Sequence, residues 1–359
     1  MKVGLVIYGD LNTLSGGYLY DRKLVNYLQN QGDEVEIISL PWRNYPSHWL
    51  HNFSTPLRER LRGLQVDVLL QDELNHPSLF FLNHSLRKDR NHSIVSIVHH
   101  LRCMEEHPRV FKWLYRQVEQ RYLNSVDGFI FNSRTTLQSV SKMLKTEKPA
   151  VIATPGGDAL SAEWVDLQND AHSRKDGLHF IFVGNWIPRK GLHTLLIALH
   201  DLQSFDWKLS LVGRTNLQSS YEKRIRRLIE SGGLSHRVRI YGAISDGDLV
   251  KTWQSADVLV VPSQYEGFGI VYLEAMRFGV IPVAGQAGAA SEIIQSGVNG
   301  FLVPPESPAA LKKVLLELLS DADLRVALSK AARRRYEEFP TWQESMATAR
   351  RFLIEHFLY

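Results

Sequence analysis

Short apolar runs alternate along this chain with longer stretches in which apolar residues recur every three or four positions. The runs VGLVIY (3–8), EVEIISL (34–40), VDVLLQ (66–71), SIVSIV (93–98), GFIF (128–131) and AVIAT (150–154) have the length and β-branched content of buried strands. Strands that alternate with helical patterns form βαβ units and hence a parallel sheet. Between Asp158 and Gly177 the chain turns polar, with Asn169, Asp170, His172, Ser173, Arg174, Lys175 and Asp176 close together. A second series follows: HFIFVG (179–184), KLSLVG (208–213), RVRIYG (237–242), DVLVVP (257–262), VIPVA (280–284) and FLVP (301–304). The final stretches, Pro308 to Leu319, Asp321 to Phe339 and Trp342 to Phe357, have helical spacing. The pattern predicts an α/β protein with two doubly wound sheets. One domain covers 1–160 and the other 178–338, joined by a linker at 161–177, and a C-terminal helix at 339–359 is expected to return to the first domain. Ligands of such folds bind outside the carboxyl ends of the strands, so the cleft between the sheets is the expected site.

Composition narrows the class. Of the 359 residues 44% are hydrophobic and 22% charged, as in ordinary globular proteins with room for two cores. The formal charge of +4 permits an anionic partner without identifying one, and nothing in the pattern calls for nucleic acid. Cys103 is the only cysteine, which excludes an intrachain disulfide framework and a cysteine zinc site and fits a reducing compartment. The opening MKVGLVIYGD is too short an apolar run for a signal peptide, and no run approaches a membrane span, so a cytoplasmic protein is expected. A dinucleotide dehydrogenase is disfavoured because no G-x-G-x-x-G follows the first strand.

The stretch PSQYEGFGIVYLEAM (262–276) places Glu266 and Glu274 on either side of a phenylalanine bracketed by Gly267 and Gly269. Pro262 ends a strand, the glycines permit an unusual turn, and Ile270 opens a helix. Glu266 therefore belongs to the loop at the strand's carboxyl end, and Glu274, one turn into the helix, leans back toward that loop. Two carboxylates beside free helix N–H groups suit a ligand with both hydroxyls and phosphates, such as a nucleotide sugar. A helix with a solvated Glu274 is the other reading of this segment alone.

The longer segment PSQYEGFGIVYLEAMRFGVIPVAGQAGAASEIIQSGVNGFLVPP, with its E-x7-E spacing, resembles the donor-site signature of the retaining glycosyltransferases of family 4. Those enzymes have the GT-B fold of two Rossmann-like domains. SGGYLYDRKLVNYLQNQGDEVEII, SIVHHL and FIFVGNWIPRKGLHTLLIAL agree with the family in the same order, so the resemblance covers most of the chain and is strongest over 179–304.

The resemblance implies a role for each matching residue. Glu266 would accept hydrogen bonds from the hydroxyls of the donor sugar, and Glu274 from the ribose. The backbone of Phe268, Gly269 and Ile270 would touch sugar and phosphates, while Gly16 and Gly17 would bring first-domain amides against the diphosphate. Lys190 looks like the family lysine that neutralises the leaving diphosphate. The family usually has arginine immediately after the glycine of GNWIPRKG, whereas this chain has Asn185; either Arg189 substitutes or one contact is neutral and weaker, and Arg189 also reads as a surface charge. Ile244 resembles the position that contacts the nucleobase, with Gly213 and Arg214 ending a neighbouring strand. His99 matches the family's strand-end histidine and would contact the donor sugar or its reacting face. The residues alone favour a hydrogen-bonded structural histidine, and His100 and Arg102 could instead reach the acceptor.

The resemblance implies transfer of a hexose, glucose from UDP-glucose being the best guess, to a saccharide or lipid-linked hydroxyl with retention of configuration. Polysaccharide or glycolipid synthesis would use such a reaction. An epimerase or phosphorylase of the same fold, and a non-catalytic nucleotide-sugar-binding subunit, are the alternatives. No metal or other cofactor is expected. Asp246 and Asp248 have the D-x-D spacing that holds a metal in another glycosyltransferase fold, but they open a helical pattern in which Ser245 or Asp246 serves as the cap.

Two further segments bear on partners. PWRNYPSHWLHNF (41–53) reads either as a sugar-stacking surface or as a packed loop. In 107–124, Val110, Phe111, Leu114, Val118 and Tyr122 form a predicted face toward the sheet, whereas Arg109, Lys112 and Arg116 with Trp113 form a basic face suited to an anionic membrane. Glu105, Glu106 and Glu119 argue for a merely solvated helix instead. The expectation is reversible peripheral attachment to the inner face of the membrane.

Overall fold

The computed structural model describes residues 1–87, 90–160 and 177–358. Of the anticipated linker 161–177, all but Gly177 lies outside the described residues. The twelve apolar runs form twelve strands. They are β1 (Lys2–Tyr8), β2 (Glu34–Leu40), β3 (Val68–Asp72), β4 (Ser93–Val98), β5 (Gly128–Phe131), β6 (Ala150–Ile152), β7 (Leu178–Val183), β8 (Trp207–Val212), β9 (Val238–Gly242), β10 (Val258–Val261), β11 (Ile281–Gly285) and β12 (Phe301–Val303). All pairings are parallel, in two six-stranded sheets ordered β2-β1-β3-β4-β5-β6 and β12-β11-β10-β7-β8-β9. A strand covered on both faces loses any polar alternation, which is why β1, β3, β4 and β10 read as continuous apolar runs.

The chain divides into two compact units, Met1–Pro155 with Pro340–Tyr359, and Gly156–Phe339. Each has its own apolar core. The helix Trp342–Phe357 belongs to the first unit: Trp342 meets the Tyr20 ring edge-on at 5.8 Å, and Arg350 reaches the buried Asp33 at 2.7 Å. A capping box built by Thr341 and Glu344 starts this helix.

Strand order fixes where a site can form. In the first sheet the chain passes from β1 to β2 on one side and then to β3 on the other, so the order reverses between β1 and β3. In the second sheet the reversal lies between β7 and β10. Connections leave such a point in opposite directions and open a crevice at the strands' carboxyl ends.

The helix at 107–124 departs from expectation. It runs Arg109–Ser125, and its first turns do not pack on the sheet: Val110 is 75% exposed, Phe111 52% and Trp113 64%. Burial begins at Val118 and includes Glu119, which is no surface acid. The Glu119 carboxylate sits inside because the backbone N–H groups of Arg102 (2.5 Å) and Cys103 (3.1 Å) donate to it. The aromatic stretch 41–53 divides between its two readings. Trp42, Leu50 and Phe53 are exposed, whereas His48, His51 and Asn52 are buried.

Candidate active site

In the second unit the crevice between β7 and β10 is built from two loops. After β7 the chain turns at Gly184, and the fully buried Trp186 anchors the turn. Trp186 N–H donates to the Arg214 carbonyl (2.9 Å), and the Arg214 N–H donates to Asn185 Oδ1 (3.4 Å), so the ends of β7 and β8 are tied together. Gly213 makes this approach feasible: its φ is 135°, and a Cβ there would lie 2.1 Å from the Gly184 oxygen. Asn185 is thus a structural tie between two strand ends. A single 3₁₀ turn, Pro188–Lys190, then leads into the helix Leu192–His200.

That turn aims Lys190 and Arg189 at the loop after β10. Lys190 Nζ lies 2.9 and 2.8 Å from the two oxygens of Glu266. Arg189 is not a free surface charge: Nη1 donates to the Tyr265 carbonyl at 2.7 Å and lies 3.9 Å from Glu266 Oε2, while the Arg189 carbonyl accepts from Gln264 N–H. Glu266 is itself held by its backbone, which pairs with Ala287 and Ala289. Burial alone would raise the Glu266 pKa, but Lys190 and then Arg189 outweigh it and hold the carboxyl down at about 2.

Three residues beyond Glu266, Gly269 (φ 97°) starts the helix Ile270–Arg277, and no side chain caps this start. Its first N–H groups therefore remain available for an anion. Glu274 lies in this helix and is only 9% exposed, as is Glu266, so it is no solvated surface acid. The Phe268 side chain is buried, with its ring 6.2 Å from Phe339, leaving only its backbone for a ligand. Ile244, half-buried after β9, packs on the same core. Ser245 caps the helix Asp246–Ser255 by accepting from Asp248 N–H, and Asp246 and Asp248 are exposed in its first turn. The D-x-D is a helix start.

The first unit gathers a second constellation at its own crevice. Ser15 caps the helix Gly16–Asn30, whose first residues are Gly16 and Gly17. His99 lies two residues beyond Ile97, the register partner of Asp72 at the end of β3. Its Nε2 is 3.2 Å from Asp21 Oδ1. His100 turns instead to Glu105 at 3.1 Å, and the Arg102 guanidinium lies beside both the Tyr45 and Tyr115 rings, 5.0 and 4.9 Å from their centroids.

Among the described residues two groups bring their donor atoms within 4.8 Å of one another: Asp21, Asp72 and His99, and Glu73, His76 and Glu119. In the second group His76 faces the Tyr45 hydroxyl (2.9 Å) and the Glu73 carbonyl (3.0 Å), and Glu119 is taken up by backbone N–H groups. In the first, His99 turns Nε2 to Asp21. In each group one buried carboxylate oxygen, Asp21 Oδ2 and Glu73 Oε1, meets no hydrogen-bond donor among the described residues.

Sequence reasoning missed Asp21, Asp72, Glu73 and Glu119. The signal was present. Asp21 falls among the buried positions Tyr18, Leu24, Val25 and Leu28 of an amphipathic helix, and Asp72 ends and Glu73 directly follows a wholly buried strand.

Residues 166–335 match the model of the family described as glycosyl transferases group 1. An uncharacterized glycosyltransferase of Methanocaldococcus jannaschii is 30% identical over 175 residues, 49% of this chain and 47% of its own length. The chain spans about half the length of this relative and of a second from the same organism, of which it covers 56%. Among solved structures, the sucrose-phosphate synthase from Thermosynechococcus elongatus superposes with a TM-score of 0.82 at 20% identity, covering 99% of each chain. HepE from Anabaena, determined in complex with UDP and glucose, gives 0.79 at 17% identity over 99% of this chain and 100% of its own. The likeness shows the fold: the two parallel sheets have the GT-B architecture.

The ion pair makes a prediction that separates charge from packing. Lys190→Ala leaves Glu266 buried with weaker compensation and should destabilise the second unit by about 3 kcal/mol in urea unfolding. The double variant Lys190→Met, Glu266→Gln should recover most of that loss. Because the folded pKa of Glu266 lies below its ordinary 4.5, its stabilising contribution is present above about pH 4.5 and lost as pH falls toward 2. The double variant should lack this part of the acid limb. Equal acid limbs in wild type and double variant would show that the pair does not govern it.

Proposed function

We propose that the chain is a glycosyltransferase that moves a hexose from a nucleoside diphosphate sugar to a hydroxyl acceptor, with the donor bound by the second unit and the acceptor by the first. The observation that carries this reading is the Lys190–Glu266 pair, with Arg189 beside it, placed at the strand-order reversal of the unit that matches the family model and next to an uncapped helix N-terminus. The match over 166–335 spans the second unit's candidate site residues, Asn185 to Glu274.

In this reading each group has a task. A diphosphate leaving group gains negative charge as the glycosidic bond breaks, and fixed cations and helix N–H groups aimed at that charge stabilise the transition state. Lys190 and Arg189 supply the cations, and the Ile270–Arg277 helix supplies the N–H groups. A Glu266 carboxylate held ionised accepts hydrogen bonds from sugar hydroxyls, and Glu274 is placed to do the same for the ribose. Glu266 is bound through both oxygens to Lys190 and does not stand free as a nucleophile. A same-face substitution with retention, assisted by the departing phosphate, fits that arrangement and the resemblance better than a double displacement. The chain's own cations serve the leaving group, so the reaction is assigned no metal requirement and no cofactor. UDP-glucose is the donor we favour, supported by HepE having been determined with UDP and glucose.

Peripheral attachment to an anionic membrane, with a lipid-linked acceptor, is the partner reading that one observation favours. Val110, Phe111 and Trp113 stand exposed on the same helix turns as the exposed Arg109, Lys112 and Arg116. Apolar groups that dip into the headgroup boundary, flanked by cations, bind reversibly and weaken with salt. No helix among the described residues is long and apolar enough to cross a membrane.

Two experiments test these readings. With UDP-glucose as donor, Glu266→Ala should lose transfer by about 100-fold or more while keeping nucleotide affinity, on the scale of a lost transition-state contact. Glu274→Ala should instead weaken UDP binding itself, and turnover should persist in excess chelator. Wild-type turnover in both variants would refute the site, UDP-glucose conversion without acceptor would favour an epimerase, and binding without turnover a non-catalytic subunit. For the membrane, the protein should co-sediment at low salt with anionic but not neutral liposomes. Replacing Arg109, Lys112 and Arg116 with glutamine should abolish this, and unchanged binding would overturn the reading.

A further inference from the structure

His99 is held on every side that the first unit can reach. Nε2 faces Asp21 Oδ1 at 3.2 Å. The Cδ2 edge rests on Gly17, where a Cβ would come within 3.1 Å of it. The Tyr20 ring meets the imidazole edge-on at 5.2 Å, and the His99 carbonyl accepts from Asn132 Nδ2 at 2.9 Å. The side chain is 13% exposed, and Nδ1 is the ring nitrogen that takes no hydrogen-bond partner among the described residues.

Asp21 is fully buried on the Gly16–Asn30 helix, and its second oxygen, Oδ2, meets no donor among the described residues. Asp72, also buried, brings a carboxylate oxygen into the same group. With both carboxylates ionised, a neutral imidazole would leave two net negative charges away from water, and a proton on the ring halves that charge. The titratable groups facing His99 are Asp21 from the first helix, Asp72 from the end of β3 and Glu73 from the turn after it. Burial by itself would lower the pKa of His99. The hydrogen bond and charge of Asp21, reinforced by Asp72 and Glu73, outweigh burial and push it up to about 9. Burial, then Asp21, raises Asp72 to about 7.

We infer that Asp21 is a positioning residue for His99: it fixes Nε2–H and keeps the ring doubly protonated, so that His99 offers Nδ1–H to a substrate oxygen as a fixed cationic donor and not as a base. This rests on the transferase reading, in which the carboxyl end of the first sheet binds substrate. An imidazolium has no lone pair with which to take a proton. Its place would be beside an electron-rich oxygen, a sugar hydroxyl or a phosphate, where a charge-assisted hydrogen bond is strong.

The test reads the ring directly. In the full chain labelled with ¹⁵N-histidine, the His99 resonance, identified by its loss in H99Q, should keep imidazolium shifts up to about pH 8, well past the ordinary histidine midpoint. In D21N the midpoint should fall by at least about one unit, tenfold in proton affinity. The kcat/KM of D21N with UDP-glucose should then decline above the new midpoint and recover at lower pH, a pH shift that a purely structural loss would not produce. A wild-type ring titrating near the ordinary value, or an unmoved midpoint in D21N, overturns the inference. Should D21N not fold, the wild-type titration decides alone. The titration needs no substrate: a ring that behaves as stated in a protein that neither binds nor turns over UDP-glucose supports the Asp21–His99 assignment and refutes UDP-glucose as the donor.

Discussion

A lysine and a glutamate, delivered to one point from the ends of β7 and β10, shape the carboxyl edge of the second sheet. The 2.8 Å contact between Lys190 and Glu266 closes the crevice where the strand order reverses, and other contacts of that edge follow from keeping these two groups in reach. Arg189 bonds the Tyr265 carbonyl, Gln264 bonds the Arg189 carbonyl, and Ala287 and Ala289 clamp the backbone of Glu266. The close approach of that last clamp needs a residue without a side chain, since a Cβ on Gly288 would lie 2.0 Å from the Glu266 oxygen. Buried ion pairs are poor sources of stability, because desolvation offsets the attraction.

The first unit solves a different electrostatic problem. Its crevice carries more acid than base, and burial pushes Glu73 and Glu119 up to about 7. These carboxylates are tolerated because each has a structural acceptor role or a histidine close by. Glu119 receives the backbone of the turn after β4, which steadies the segment containing His99 and His100. His76 stays neutral for the opposite reason: burial drives its pKa down to about 4. Two histidines within one unit are thus pushed in opposite directions, His99 upward through its carboxylates and His76 downward through burial.

Most of the fold was legible from periodicity. Twelve apolar runs became twelve parallel strands, and Ser245 capped its helix as the D-x-D alternative required. In the candidate site, Glu266 and Gly269 were legible as positions because proline and glycine mark the loop at a strand end, whereas Lys190 was singled out by the family resemblance. Asn185 and Arg189 were legible as positions but not as roles. Whether an asparagine ties two strands or meets a phosphate depends on a chain segment 29 residues away.

The sequence by itself determined element type and order, because a strand or helix buried on a given face requires apolar residues at a given period, and that requirement is local. It also determined where the loops had to bend, through residues such as Gly213 and Gly269. Tertiary structure decided everything that depends on distance between segments. It turned Lys190 onto Glu266, left Val110 and Phe111 exposed where periodicity had buried them, and drew Glu119 inside. Above all it set Asp21, 78 residues from His99 along the chain, against that ring. A side chain's charge and exposure follow from the neighbours folding gives it, and those neighbours are not written at any fixed spacing.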